Sequence, residues 1–162
     1  MGVRNYLVEG VSTTGKTSVC RELQRRGEHA VNGDTELAYQ GDPVTGEPTD
    51  VPAHEHHLWH VDRVEALVAD RSRERTFLCG GSRNHGRFLG LFDEVFVLTI
   101  DEATLEERLA ARPADEFGSA PDERELVRRL RRTQEDVPDG TRIDATRPLT
   151  EVVDDILRRT AG

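Results

Sequence analysis

Residues 4–20, RNYLVEGVSTTGKTSVC, constrain this chain more than any other stretch. Tyr6-Leu7-Val8 is a short apolar run of β-formers, the mark of a buried strand. It leads into Gly10-Val11-Ser12-Thr13-Thr14-Gly15-Lys16-Thr17, which matches G-x-x-x-x-G-K-[ST]. Val19, Cys20 and Leu23 then follow at helical spacing. Strand, glycine loop and helix stand in the order that a phosphate-cradling loop requires.

Each residue type in the loop has a physical task. Gly10 and Gly15 let the backbone turn and approach an anion without a Cβ in the way. The amides of Gly10, Ser12, Thr13, Thr14 and Gly15, with the helix start at Lys16, Thr17 and Ser18, point at phosphate oxygens. Lys16 is placed to reach the β- and γ-phosphates, and Thr17 to offer a hydroxyl to magnesium. Of the 22 basic residues, Lys16 is the only lysine. The loop needs a compact ammonium, and elsewhere the chain uses the planar guanidinium.

At 162 residues, the chain is expected to form one domain with a sizeable core, spanning residues 1–162. A net charge of −9 argues against sequence-independent nucleic-acid binding. With no leader-like or membrane-length apolar run, the expectation is a soluble, cytoplasmic protein with no membrane partner. Cys20 and Cys79 lack metal-ligand spacing and read as two small, partly buried thiols.

The remaining pattern alternates strand and helix. Helix one is expected from Lys16 to Arg26, closed by Gly27, and His29–Asn32 is extended. Thr35–Tyr39 reads as one or two helical turns, Gly41–Ala53 as a loop, and His54–Asp70 as a helix. Thr76–Cys79 and Val95–Ile100 read as strands, with a short helix over Gly86–Leu91 between them. Asp101 caps a helix to Ala111, Pro113 ends it, and residues 113–121 form a polar loop. A helix over Asp122–Glu135, a strand over Thr141–Ile143 and a helix over Leu149–Thr160 complete the chain. The fold class is α/β, a parallel sheet with helices on both faces, and ligands in such sheets bind beyond the strands' carboxyl ends.

Several residues at those ends suit phosphoryl transfer. Asp34 follows the second strand. It either orients an acceptor hydroxyl and takes its proton, holds a magnesium-bound water, or caps the short helix after it. Gly80-Gly81-Ser82-Arg83 offers amides and a guanidinium to a planar or anionic group. Arg108 and Arg112 lie four apart on one helix face, at the entry to a lid-like loop over residues 112–122. Arg128, Arg129, Arg131 and Arg132 read mostly as a solvated face paired with glutamates. His54, His56, His57 and His60 lack an H-E-x-x-H pattern and read as a solvated or substrate-facing helix start within the 41–60 acceptor-side region, rather than a zinc site. Trp59 either lines a pocket for a planar substrate or packs on the sheet.

Taken in order, the phosphate loop, Asp34, the C-G-G-S-R turn, the R-x-x-x-R entry and the I-D-A-T-R-P turn resemble the P-loop small-molecule kinases. That group includes nucleoside monophosphate kinases, shikimate kinase and chloramphenicol phosphotransferase. The likeness covers nearly the whole chain. It implies a three-layer P-loop NTPase fold with a five-stranded parallel sheet in order 2-3-1-4-5. It implies ATP and Mg2+ as cofactors and a small-molecule acceptor of the kind a nucleoside or nucleotide exemplifies. It also implies that Arg108 stacks on adenine, Arg112 faces the phosphates, the turn carrying Asp144 and Thr146 packs on adenine, and Asp34 and Arg83 meet the acceptor. The chain departs from the group's pattern at Thr13, where nucleotide kinases usually have a third glycine, and across residues 41–60. The expected function is therefore an ATP-dependent kinase whose catalytic residues are Lys16, Asp34 and Arg112. Two rivals are a nucleotide-binding regulatory module and a kinase of nucleic-acid 5′ ends. A GTPase is disfavoured because [NT]-K-x-D requires a second lysine.

Overall fold

A computed structural model describes residues 4–161. Five parallel strands form the central sheet: β1 (Arg4–Gly10), β2 (His29–Asn32), β5 (Arg75–Cys79), β6 (Glu94–Thr99) and β7 (Thr141–Asp144). Their spatial order is β2-β5-β1-β6-β7. Counting only these strands, that is the 2-3-1-4-5 order the resemblance implies. β1 is central, with Tyr6 beside Phe77 of β5 on one flank and Glu94 of β6 on the other. This register brings the carboxyl ends of β1, β2 and β5 together.

Strand alternation divides the core into two layers. Tyr6, Val8, Phe77, Cys79, Phe96 and Leu98 pack against α1 (Lys16–Arg25), α4 (Glu102–Ala110), α5 (Pro121–Thr133) and α6 (Leu149–Thr160). Leu7 and Leu78 point the other way, toward Trp59, Phe88 and Val64 of α3 (Val61–Ala69). Apolar residues on both strand faces are what a sheet covered on both sides demands. Cys20 and Cys79 are both free and buried in the first layer. Among the described residues, no helix is long and apolar enough to cross a membrane.

Most elements lie within a residue or two of their sequence-read bounds, and α6 coincides with its expected span. Residues 35–60 differ. The helical turn, α2, covers Gly33–Glu36, and the chain then becomes strand β3 (Ala38–Gln40). The expected helix from His54 begins only at Val61: His54–His56 is a 3-10 turn and His57–Trp59 is strand β4, antiparallel to β3. Helical periodicity carried through 54–60 because Leu58 and Val61 keep the spacing of α3. The pairing with β3 is a long-range contact that competes successfully with it. His56 and His60 therefore do not share a helix face. His56 Nδ1 bonds the Val51 carbonyl at 2.7 Å, and the His60 ring stacks on Tyr39 at 4.2 Å. Gly86–Leu91, read as one short helix, consists of two 3-10 turns, His85–Arg87 and Leu89–Leu91.

The first layer carries the burial. Phe77 is fully buried and its ring stacks on Tyr6 at 5.2 Å. Phe77→Ala is expected to cost about 3–5 kcal/mol in urea unfolding, through lost transfer energy and a residual cavity. Val44→Ala, on a side chain 80% exposed, should stay within about 0.5 kcal/mol.

Candidate active site

One cavity of about 1030 Å3 opens over the carboxyl ends of β1, β2 and β5. That exceeds what a single small ligand needs and has room for two. Along one side runs the phosphate loop. Thr14 closes it by bonding the Val11 carbonyl through both its amide (3.3 Å) and its hydroxyl (2.7 Å). Gly15 takes φ 98° and starts α1 without a side-chain cap, so the first amides of that helix face the cavity. Lys16 Nζ donates to the Gly10 carbonyl at 2.6 Å, folded over the loop it serves.

Thr13 stands in the left-handed region, φ 75°, where a β-branched residue is strained. Its carbonyl accepts from Arg108 Nη1 at 2.8 Å, while Arg108 Nη2 donates to the Ala145 carbonyl at 3.1 Å. Arg108 thus ties the loop to the turn after β7. Arg112 Nη2 lies 3.3 Å from Ser12 Oγ, and Nη1 bonds Glu116 in the 113–120 loop at 3.2 Å. That loop reaches across the cavity, where Phe117 stacks on His54 at 5.7 Å.

The other side is organised by Asp34, one residue inside α2. Its Oδ1 accepts from His57 Nε2 at 2.8 Å, Trp59 Nε1 at 3.2 Å and the Gly81 amide at 3.2 Å. These bonds leave Oδ2 without a hydrogen-bond partner among the described residues. Burial pushes the Asp34 carboxyl up. The His57 bond and the Lys16 charge outweigh burial and hold it below the usual range, so it stands ionised. Trp59 is buried against Phe88 at 5.7 Å, their rings nearly parallel, and meets the site only through its indole N–H. A Cβ on Gly33 would fall 2.3 Å from the Trp59 ring, and one on Gly80 2.8 Å from Asp34 Cγ. Glycine at both positions permits this close packing. Asn84 holds β4 from its open edge: its Oδ1 accepts the Trp59 amide (3.1 Å) and its Nδ2 donates to the Trp59 carbonyl (2.9 Å).

The cavity thus gathers Gly10, Ser12, Thr13, Thr14, Gly15, Lys16, Thr17, Ser18, Asp34, Gly81, Arg83, Arg108 and Arg112 from the residues read as candidates. Trp59, Gly80, Asp144 and Thr146 do not line it. Asp144 Oδ1 accepts the Thr146 amide and Thr146 Oγ1 accepts the Asp101 amide, so both brace the turn whose Ala145 and Arg147 line the cavity. Three contributors, Asp136, Asn84 and Glu9, escaped the sequence reading, and His57 was read only within the histidine run. Asp136 accepts from Arg83 Nη1 at 2.6 Å and from His54 Nε2 at 2.7 Å. His57 orients Asp34, and Asn84 positions Trp59. Glu9 lies buried under the loop, its Oε1 accepting the Gly10 amide at 3.2 Å. The run of histidines flagged His54 and His57 as a group. Nothing local distinguished Asp136 or Glu9 from the chain's other carboxylates.

Among the described residues, no three histidine, cysteine or acidic side chains cluster as metal ligands. Magnesium at a polyphosphate takes only one or two protein oxygens, the rest coming from phosphates and water. Thr17, an exposed hydroxyl at the helix start, and Asp34 Oδ2 supply hard oxygen donors of that kind. They fit this ion.

Solved structures share this architecture. A sugar kinase from a Janibacter species is 18% identical, with 96% of this chain and 93% of that chain covered, at a TM-score of 0.58. A gluconokinase from Sinorhizobium meliloti is 18% identical, with 98% of each chain covered, at 0.52. Shikimate kinase from Aquifex aeolicus is 16% identical, with 96% and 95% covered, at 0.54. At this identity the likeness establishes a shared fold, a phosphate-loop α/β fold. No protein-family model matches the sequence, and no curated protein does.

Burial pushes the Glu9 carboxyl up from an ordinary 4.5 to about 7, against the pull of Lys16. A raised acid opposes folding once the unfolded chain ionises. Its favourable contribution is therefore complete below pH 4.5 and lost as pH rises through about 7. Glu9→Gln keeps the acceptor for Gly10 and removes the titration. Urea unfolding should show the variant gaining about 3 kcal/mol on wild type between about pH 4 and about pH 8.

Proposed function

We propose that this protein is an ATP- and magnesium-dependent phosphotransferase that moves the γ-phosphoryl group to a hydroxyl of a small molecule. One observation carries the reading. A phosphate loop with its lysine, and an ionised carboxylate with one oriented, unpartnered oxygen, face each other across a single cavity. Likeness of fold to kinases of small molecules supports it.

The loop amides and the N-terminus of α1 receive the β- and γ-phosphates. Lys16 Nζ exchanges the Gly10 carbonyl for a phosphate oxygen, and Arg112 approaches from the loop side, adding positive charge where the transferring group spreads its own. Thr17 would hold a magnesium ion and Asp34 one of its bound waters, and the ion would neutralise charge on the phosphates. Asp34 Oδ2 accepts a hydrogen bond from the acceptor hydroxyl and aims its oxygen at the γ-phosphorus. The new P–O bond forms as the bond to the β-phosphate oxygen breaks, ADP leaves, and the hydroxyl proton passes to Oδ2. A carboxyl with a depressed pKa is a weak base. It suffices because a loose transition state gives up its proton late. The 113–120 loop, anchored by Arg112–Glu116 and Phe117–His54, acts as the lid that excludes water.

Calorimetry with ATP and magnesium, followed by an acceptor-dependent ADP-release assay, tests this reading. Lys16→Ala should lose nucleotide binding by at least about tenfold while its circular dichroism and unfolding midpoint stay unchanged. Asp34→Asn keeps an oxygen for the three donors. It should bind ATP normally and lose turnover by about 100-fold or more. Nucleotide binding with no acceptor-dependent ADP release would point instead to a regulatory module.

A further inference from the structure

Lys16, Arg21, Arg83, Arg108, Arg112 and Arg147 bring permanent positive charge to the cavity wall, and Arg83 shares its turn with Gly81, whose amide donates to Asp34. Arg83 sits on the turn after β5, its amide pinned to the His57 carbonyl at 2.9 Å. An arginine on this cavity wall is a ready partner for a ligand's carboxylate or phosphate. In this chain that position is already answered. Asp136, just beyond the end of α5, places Oδ2 2.6 Å from Arg83 Nη1. The same oxygen takes His54 Nε2 at 2.7 Å, and Phe117 covers the His54 ring. The Arg83 and Asp136 side chains are 13% and 26% exposed, so the pair is partly withdrawn from water and its charges are weakly screened.

We infer that Asp136 is a selectivity residue. By cancelling the charge of Arg83 it makes the acceptor side reject carboxylates and phosphomonoesters and take hydroxyl compounds that carry no negative charge. The inference rests on the phosphotransferase reading and narrows its substrate class. The local balance supports it. With Asp136 set against Arg83, the guanidinium offers an arriving anion no uncompensated charge, and engaging it would leave Asp136 without its partner. Groups that bind neutral hydroxyls remain. Asp34 Oδ2 accepts, and His57 keeps Nδ1 while its Nε2 is on Asp34. Gln40 keeps Nε2 while its Oε1 holds the Ala53 amide. Pro52, Ala53, Phe117 and Val137 supply an apolar wall.

A matched pair of probes, gluconate and glucitol, shares one carbon skeleton and differs in charge. Binding of each is followed by NMR at the imidazoles of His54 and His57, which report the acceptor side. The amides of Gly10–Thr17 report the phosphate loop separately. Wild-type protein should show no gluconate-dependent shift at the imidazoles. Asp136→Asn and Asp136→Ser, changes at a partly exposed position, should each gain gluconate affinity of about tenfold or more. Adding Arg83→Gln should erase that gain, and glucitol should be indifferent to the change at Asp136. Gluconate binding to wild type at the imidazoles, lost in Arg83→Gln, overturns the inference. So does unchanged gluconate affinity in both Asp136 variants. Failure of a non-hydrolysable ATP analogue with magnesium to shift the loop amides overturns the phosphotransferase reading instead, and leaves the imidazole result to be read by itself.

Discussion

Three N–H donors converge on one oxygen, Asp34 Oδ1, and the half of the cavity opposite the phosphate loop is built around that convergence. Two come from β4 and one from the turn after β5. The carboxylate therefore welds a peripheral hairpin to the central sheet. Removing any donor leaves a charged group part-buried and short of partners, a costly state. The geometry has a chemical consequence. An oxygen saturated by three donors cannot also serve a ligand, so the neighbouring oxygen is left to face the cavity in a defined direction.

The supports of this arrangement lie behind the wall. Trp59 reaches Asp34 only because Gly33 and Gly80 leave space for its ring, and Asn84 stands in for a missing neighbouring strand along β4. On the phosphate side, the strained Thr13 is held by Arg108, which bridges its carbonyl to that of Ala145. In both halves a residue of the site is fixed by a second residue, buried Trp59 on one side and cavity-lining Arg108 on the other, so the site is organised before anything binds.

Electrostatics then separate the halves. Arginines and the single lysine line the phosphate loop's side, while across the cavity Asp136 pairs with Arg83. A fold shared with solved kinases of small molecules thus carries, opposite its phosphate loop, a guanidinium already paired by a carboxylate. The scaffold decides where a ligand sits, and a few side chains at the strand ends decide which ligand is tolerated.

The phosphate loop, the five sheet strands and the helices at their flanks were legible in the sequence. Their signals are local: a glycine motif of fixed spacing, runs of β-formers, the Asp101 cap, the amphipathic period of α6. The strand order came from resemblance, and the coordinates agree with it. Residues 35–60 were misread because β3 and β4 each span only three residues, and short strands are made by their partner. Asp136 was invisible for a related reason: its meaning depends on Arg83, 53 positions earlier in the chain. Local order and the phosphate cradle are properties of neighbouring residues, so sequence alone determined them. Which carboxylates are buried, ionised or paired depends on groups brought together only by the packed chain, and tertiary structure decided it.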